Sequence, residues 1–181
     1  MVLAVLLATL GANSVSFAAP TTLATTFSVT PQNAIPNQRV TLLGSGFTPV
    51  ATSGGAGPSG AHQITGSGGS LIAVGQTILV SPNVTYPINF DANGNWTALI
   101  ILPVTAEVVA GGPVTSRVVD DQGLMRTTQI TIKTPGINLD PASGRANTTF
   151  TVTGNDFPAS NTATGVGSQV IISYGGAIQK L

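Results

Sequence analysis

Cysteine, charge and helix-forming residues are what this chain of 181 residues lacks. There is no cysteine, which excludes a disulfide framework and thiolate metal sites. That absence assigns no redox compartment and is compatible with export. Only 7% of the residues are charged, six basic against six acidic, where a soluble domain carries roughly 25%. So few cations cannot neutralise a run of phosphates, and nucleic acid is not expected as a partner. Lys133 and Lys180 are the only lysines and Glu107 the only glutamate, and no long segment repeats its apolar residues with a helical period. The single histidine, His62, falls in a Gly/Ser-rich stretch. One imidazole makes neither a metal site nor a nucleophilic triad, both of which need further groups held rigidly around it.

What is present is 42% hydrophobic residues, 22 glycines and 12 prolines, with polarity supplied by Thr, Ser, Asn and Gln. That is a composition of strands and turns. The chain is organised around one stretch that occurs twice. Phe27–Pro49 reads FSVTPQNAIPNQRVTLLGSGFTP, and 110 positions later Ile137–Ala159 reads INLDPASGRANTTFTVTGNDFPA, with no gap needed. Pro31 falls on Pro141, Asn37 on Asn147, Thr41 on Thr151, Gly44 on Gly154 and Phe47 on Phe157. The period suits a β-sandwich domain of roughly 100 residues and is too long for a solenoid unit.

Residues 1–18 are expected to be an export signal. Val2–Ala12 is an apolar run too short to span a bilayer, and Ser16-Phe17-Ala18 offers small residues for cleavage, although no basic residue precedes the run. A Thr-rich lead (19–26) follows, then a first domain over 27–134 and an incomplete second over 135–181. In the first, strands are expected at Phe27–Thr30 and Arg39–Leu43, with Val40 and Leu42 turned inward. Residues 50–69 read as a flexible Gly/Ser-rich surface insertion. Leu71–Val80 is a strand pair or one bent strand, and Asn83–Phe90 is the next extended segment. Asp91–Asn95 turns the chain, Asn93-Gly94 being the strongest hairpin signal in the sequence. Trp96–Leu102 then places Trp96, Ala98, Ile100 and Leu102 on one face, leaving Leu99 and Ile101 outward and in want of a partner. Val104–Val109 is a helical turn or a crossing loop. Val114–Val119 and Thr127–Lys133 form a last hairpin, and the short hinge Thr134-Pro135-Gly136 makes consecutive domains a semi-rigid rod. The second domain is expected to hold strands at Ile137–Asp140, Thr149–Thr153 and Gln169–Tyr174 and to lack the rest.

Val29, Pro31, Val40, Leu42, Gly44 and Phe47, repeated as Leu139, Pro141, Phe150, Val152, Gly154 and Phe157 with Gly144 added, resemble the opening of bacterial and archaeal extracellular immunoglobulin-like repeats of the IPT/TIG type. Asp91, Asn93, Gly94 and Trp96 resemble a later turn and strand of that family, while Ala34 and Asn37 stand where it usually has glycine. The resemblance implies an all-β, immunoglobulin-like β-sandwich, one complete domain plus the N-terminal part of a second. It implies a non-enzymatic spacer or adhesive stalk, secreted or at the cell surface, with no cofactor. Its partners would be neighbouring Ig-like domains, another subunit, or surface glycans or proteins. A filament subunit completed by a neighbour's strand, and a carbohydrate-binding accessory module of a hydrolase, are the alternatives.

Several residues carry a sharper reading beside a bland one. Asp91, Asn93 and Asn95 alternate like the start of a calcium loop, but Gly94 is misplaced and the closing glutamate position is Leu102, so a turn is favoured. Asp120 and Asp121 are candidate cation ligands or an acid/base pair, with a solvated turn favoured. Trp96, Tyr86 and Tyr174 could stack a sugar, although Trp96 occupies a core position. Asn83, Asn95 and Asn147 open Asn-x-Thr sequons.

Overall fold

The structure is a computed structural model and describes residues 24–47, 62–165, 171–174 and 177–179. The expected export signal and residues 50–61 of the insertion lie outside them. The chain is almost wholly β. In order it forms β1 (Thr26–Thr30), β2 (Asn33–Ala34), β3 (Arg39–Ser45), β4 (Gln63–Ile64), β5 (Leu71–Val74), β6 (Thr77–Ile78), β7 (Ile88–Asn89) and β8 (Trp96–Ile101). A single helical turn, α1 (Ala106–Val109), leads to β9 (Gly112–Val119) and β10 (Met125–Ile132). Then come β11 (Gly136–Asp140), β12 (Thr151–Asn155), β13 (Ile172–Tyr174) and β14 (Ala177–Gln179).

Two sheets share one core. The first is antiparallel in the order β1-β3-β8, and the second runs β2-β10-β9-β5-β6. Alternation decides what each strand buries. In β3, Val40 and Leu42 are buried and Arg39 and Leu43 exposed. In β8, Trp96, Ala98 and Ile100 point in, and Ile130 and Ile132 do the same from β10. These side chains meet Ile72, Val74, Val114 and Val118 of the second sheet in one buried cluster.

Pro31, which has no N–H to donate, closes β1. The next residues cross to the other sheet, where β2 pairs parallel with β10, Asn33 opposite Thr131 and Ala34 opposite Ile132. The sequence marked this stretch only as a polar turn, because two residues are too few to show a period. Leu71–Val80 proves to be a strand pair: Gly75 (φ +59) turns β5 into β6. Tyr86 ties that pair together, its hydroxyl accepting from Ile72 N at 2.9 Å and donating to Leu79 O at 3.3 Å. Burial raises the Tyr86 phenol above its ordinary value, and the Ile72 N–H pulls the other way. Within Val104–Val109 the helical turn forms, capped by Thr105, whose Oγ1 accepts from Val108 N. Glu107 on that turn accepts from Gln76 N at 3.1 Å, tying α1 to the β5–β6 turn.

Three expectations are corrected. Ile101 does not face solvent with Leu99; it is 5% exposed against 54% for Leu99. The segment around Asn83 covers it, with Ile101 N donating to Asn83 O and Asn83 Nδ2 to Ile101 O. Asn83–Phe90 is correspondingly not one strand, and only Ile88–Asn89 pairs, with β4. Nor is the later part of 50–69 a structureless loop. Gln63 and Ile64 form β4, Ile64 is fully buried, and His62 is 4% exposed.

The repeat seen in the sequence is also a repeat of strand pairing. β1 meets β3 with Thr26 opposite Ser45 and Val29 opposite Leu42; β11 meets β12 with Gly136 opposite Asn155 and Leu139 opposite Val152. Every partner is displaced by the same 110 positions. Asn37 (φ 63) and Asn147 (φ 69) both hold the left-handed turn before the second strand, a conformation asparagine tolerates better than most residues. The peptide bonds preceding Pro31 and Pro141 are both cis.

Candidate functional site

Asp91–Asn95 is a closed turn. Asp91 Oδ1 accepts from the backbone N–H groups of Asn93 and Asn95, both at 2.8 Å, and Oδ2 accepts from Asn95 Nδ2 at 3.0 Å. The carboxylate oxygens that a cation would need are spent on the turn. The strand entering the turn pairs with β4 and the strand leaving it pairs with β3, so the hairpin signal marks a turn between two sheets. Gly94 (φ +73) lies against β3's end, where Phe47 N donates to Gly94 O at 3.0 Å.

Donation from Asn95's backbone and side chain, then from Asn93's backbone, holds the Asp91 carboxyl below its ordinary value. A depressed folded-state pKa stabilises the fold above the unfolded value of about 3.9 and loses that contribution as pH falls through the folded value. Asp91→Asn should therefore flatten the acid limb of stability between about pH 4 and pH 2, measured as urea midpoints across that range. An unchanged acid limb would mean that the turn's hydrogen bonds do not persist in solution.

Asp120 and Asp121 are adjacent in sequence and divergent in space. Asp120, 1% exposed, is turned to its own backbone, Oδ1 accepting from Gln122 N at 2.9 Å and Leu124 N at 2.8 Å. Asp121 reaches the other way, its Oδ1 lying 3.2 Å from Nδ1 of His62. The two carboxylates thus converge on no common point, and the solvated-turn expectation fails for Asp120, whose burial a two-residue motif does not reveal. The His62–Asp121 pair, with Asp121 N donating to Gln63 O, fastens the β9–β10 turn to β4. Asp121→Ala leaves the buried imidazole without this partner and should cost about 1–3 kcal/mol, read from the urea midpoint. A cost indistinguishable from zero would make the contact incidental.

Trp96 is 4% exposed and enclosed by Phe27, Phe47 and Phe90, with ring centroids 5.8, 5.5 and 6.3 Å away. It presents no open ring face, Tyr86 is engaged as described, and the side chain of Tyr174 lies outside the described residues. Of the sequon asparagines, Asn83 and Asn95 spend their amide nitrogens on internal acceptors, while Asn147 is exposed. Among the described residues no group of three or more His, Asp or Glu side chains gathers as a metal site, and no helix is long and apolar enough to cross a membrane.

Two surface features remain. An open cleft of about 580 Å³ lies between β8 and residues 82–89, lined by Asn83, Thr97, Leu99, Arg39 and Ala163 among others. Among the described residues Arg39 is the one charged side chain in its lining. The second feature is the β11–β12 pair. Val29 and Leu42 are 2% and 0% exposed in the first repeat, whereas their counterparts Leu139 and Val152 are 46% and 37% exposed. Ile137 is exposed as well. Residues that form the core in one copy form a surface in the other.

The second repeat is nevertheless joined to the first. Asn37 Nδ2 donates to Ala159 O, Thr164 Oγ1 donates to Asn37 Oδ1 at 2.9 Å, and Asn161 Nδ2 donates to Asn37 O at 3.3 Å. Ala159 N donates to Pro36 O at 2.8 Å, and Lys133 pairs with Asp156 at 3.3 Å. Sequence identity pointed to Asn37 through its match with Asn147 but not to this junction, whose other half lies more than 120 residues away. No family model, curated protein or solved structure matches this chain.

Proposed function

We propose that this chain is a non-enzymatic, exported segment of immunoglobulin-like repeats of the IPT/TIG type. It serves as a structural spacer or adhesive stalk within a larger secreted or cell-surface protein. The observation that carries the proposal is the strand pair that recurs in one register at a fixed offset, its second copy bonded directly to the first. A junction built from the Asn37 turn and residues 159–164 restrains bending between repeats, as a spacer requires. Load along such a chain is resisted by β-ladders and by the shared core. The low charge of the chain, 7% of its residues, suits display and spacing.

The test is the intact mass of the native protein taken from the cell surface. A mass well above that of the 181 residues supports a segment of a larger stalk. A mass matching the chain alone, or a protein retained in the cytoplasm, overturns it. The exposed apolar residues of β11–β12 favour, as a second reading, a filament subunit completed by a neighbouring chain. Carbohydrate binding has no such support, since Trp96 is enclosed.

A further inference from the structure

β7 enters the Asp91–Asn95 turn and β8 leaves it, yet the two do not pair with each other. β7 is bonded to β4 and β8 to β3, and the cleft of about 580 Å³ lies between them. Its volume falls within the roughly 300–1,000 Å³ of ligand sites. One wall is the edge of β8 that faces away from β3, with Thr97, Leu99 and Ile101, and the other is residues 82–89.

The register fixes which backbone groups that edge presents. Ile101 turns away from β3, its N–H donating to Asn83 O at 2.7 Å and its carbonyl accepting from Asn83 Nδ2 at 2.9 Å. In an antiparallel ladder such outward residues alternate with those bonded to the partner strand. Leu99, opposite Thr41, and Thr97, opposite Leu43, therefore turn their N–H and C=O groups outward as well. Among the described residues no strand pairs with that side of β8. An edge in this state is a template for one further strand.

Two residues at the Ile101 end define what that strand must be. Asn83 already occupies the edge there, so an added strand cannot pair beyond Leu99 and has to end. Arg39, opposite Ile101, lines the same cleft with an exposed side chain and forms no ion pair among the described residues. A chain that ends beside a guanidinium is held by its terminal carboxylate, whereas an N-terminal ammonium would be repelled.

We propose that this cleft binds the free C-terminal tail of a partner polypeptide by strand addition. The tail lies between β8 and β7 and runs parallel to β8. Its backbone bonds to Thr97 and Leu99, and its terminal carboxylate reaches Arg39. Apolar side chains suit such a tail, because Val84, Ile88 and Leu99 line the cleft. Nothing in this cleft depends on the stalk reading.

The probe is the tetrapeptide acetyl-TVTV with a free C-terminal carboxylate, titrated into the isotope-labelled full chain. Saturable NMR shifts are expected at the backbone amides of Thr97 and Leu99 and at the Asn83 side chain, with β5 and β9 unmoved. The same peptide with its C-terminus amidated should bind at least about tenfold more weakly. Arg39→Gln should weaken the acid peptide to the same degree and leave the amidated peptide unchanged, which a merely structural arginine would not do. Leu99→Pro removes an outward N–H that β3 does not use, and should abolish the shift at Thr97. Arg39→Gln, an exposed substitution, keeps the test decisive if the proline variant folds poorly. Absence of saturable shifts, equal affinity for the acid and amidated peptides, or shifts centred on another strand edge would overturn the proposal. Self-association of the chain through β8 without peptide would make a second copy the occupant and overturn it too.

Discussion

Replacing Trp96 by alanine should cost the fold about 3–5 kcal/mol, a large part of the roughly 5–15 kcal/mol that holds a domain together. The indole is 4% exposed and bridges three phenyl rings drawn from β1, the end of β3 and the segment entering the Asp91 turn. Removing it opens a cavity where all three meet, and aromatic contacts at these separations add to the loss of burial. Trp96→Phe should cost much less, about 1–2 kcal/mol. The indole N–H is buried without an acceptor, so phenylalanine forfeits volume but no hydrogen bond. Urea midpoints by far-UV circular dichroism are the measurement, since the substitution removes the only tryptophan. Equal costs for alanine and phenylalanine would mean that the ring cluster does not carry the core.

The parts of the fold that the sequence made legible are those whose signal is local. Period-2 alternation located β3 and β8 with the right faces inward, because four or more residues suffice to show which side is apolar. The fixed offset between the two copies anticipated a common strand pair, and the structure adds the common register. It also explains which positions the copies share. Gly44 and Gly154 are both glycine because a ring lies on each. Gly46 and Asp156 share a positive φ, 66° and 57°, which aspartate also tolerates.

What stayed hidden depends on distant partners. The burial of His62 is set by Asp121, the burial of Ile101 by the Asn83 segment, and the pairing of β2 by the final strand β10. None of these partners is announced by composition or period. The β13–β14 pair was foreseen only as its first strand, although Gly175-Gly176 between the two is itself a hairpin signal. The candidate site was legible in one respect: the apolar positions matched between the two copies mark Leu139 and Val152, which are exposed at 46% and 37%. The contact of Phe157 with Gly154 was not legible, because it appears only when the neighbours of Gly154 are compared with those of Gly44.

Gly44→Ala should destabilise the first repeat by about 3 kcal/mol, although it adds a single methyl group. The new carbon would sit 2.1 Å from Nε1 and 2.2 Å from Cε2 of Trp96, and a rigid bicyclic ring wedged among three others has nowhere to withdraw. Gly46→Asp, two residues on, should cost under about 1 kcal/mol, because the second repeat already places Asp156 in that backbone conformation. The pair separates a glycine kept for space from one kept for φ. A double-mutant cycle isolates the cause: with Trp96 replaced by alanine, the Gly44→Ala step should cost under about 1 kcal/mol, a coupling of about 2 kcal/mol. If Gly44→Ala were as costly in both backgrounds, the glycine would be serving its own backbone. The ring-on-glycine contact would then be incidental to the identity of the residue.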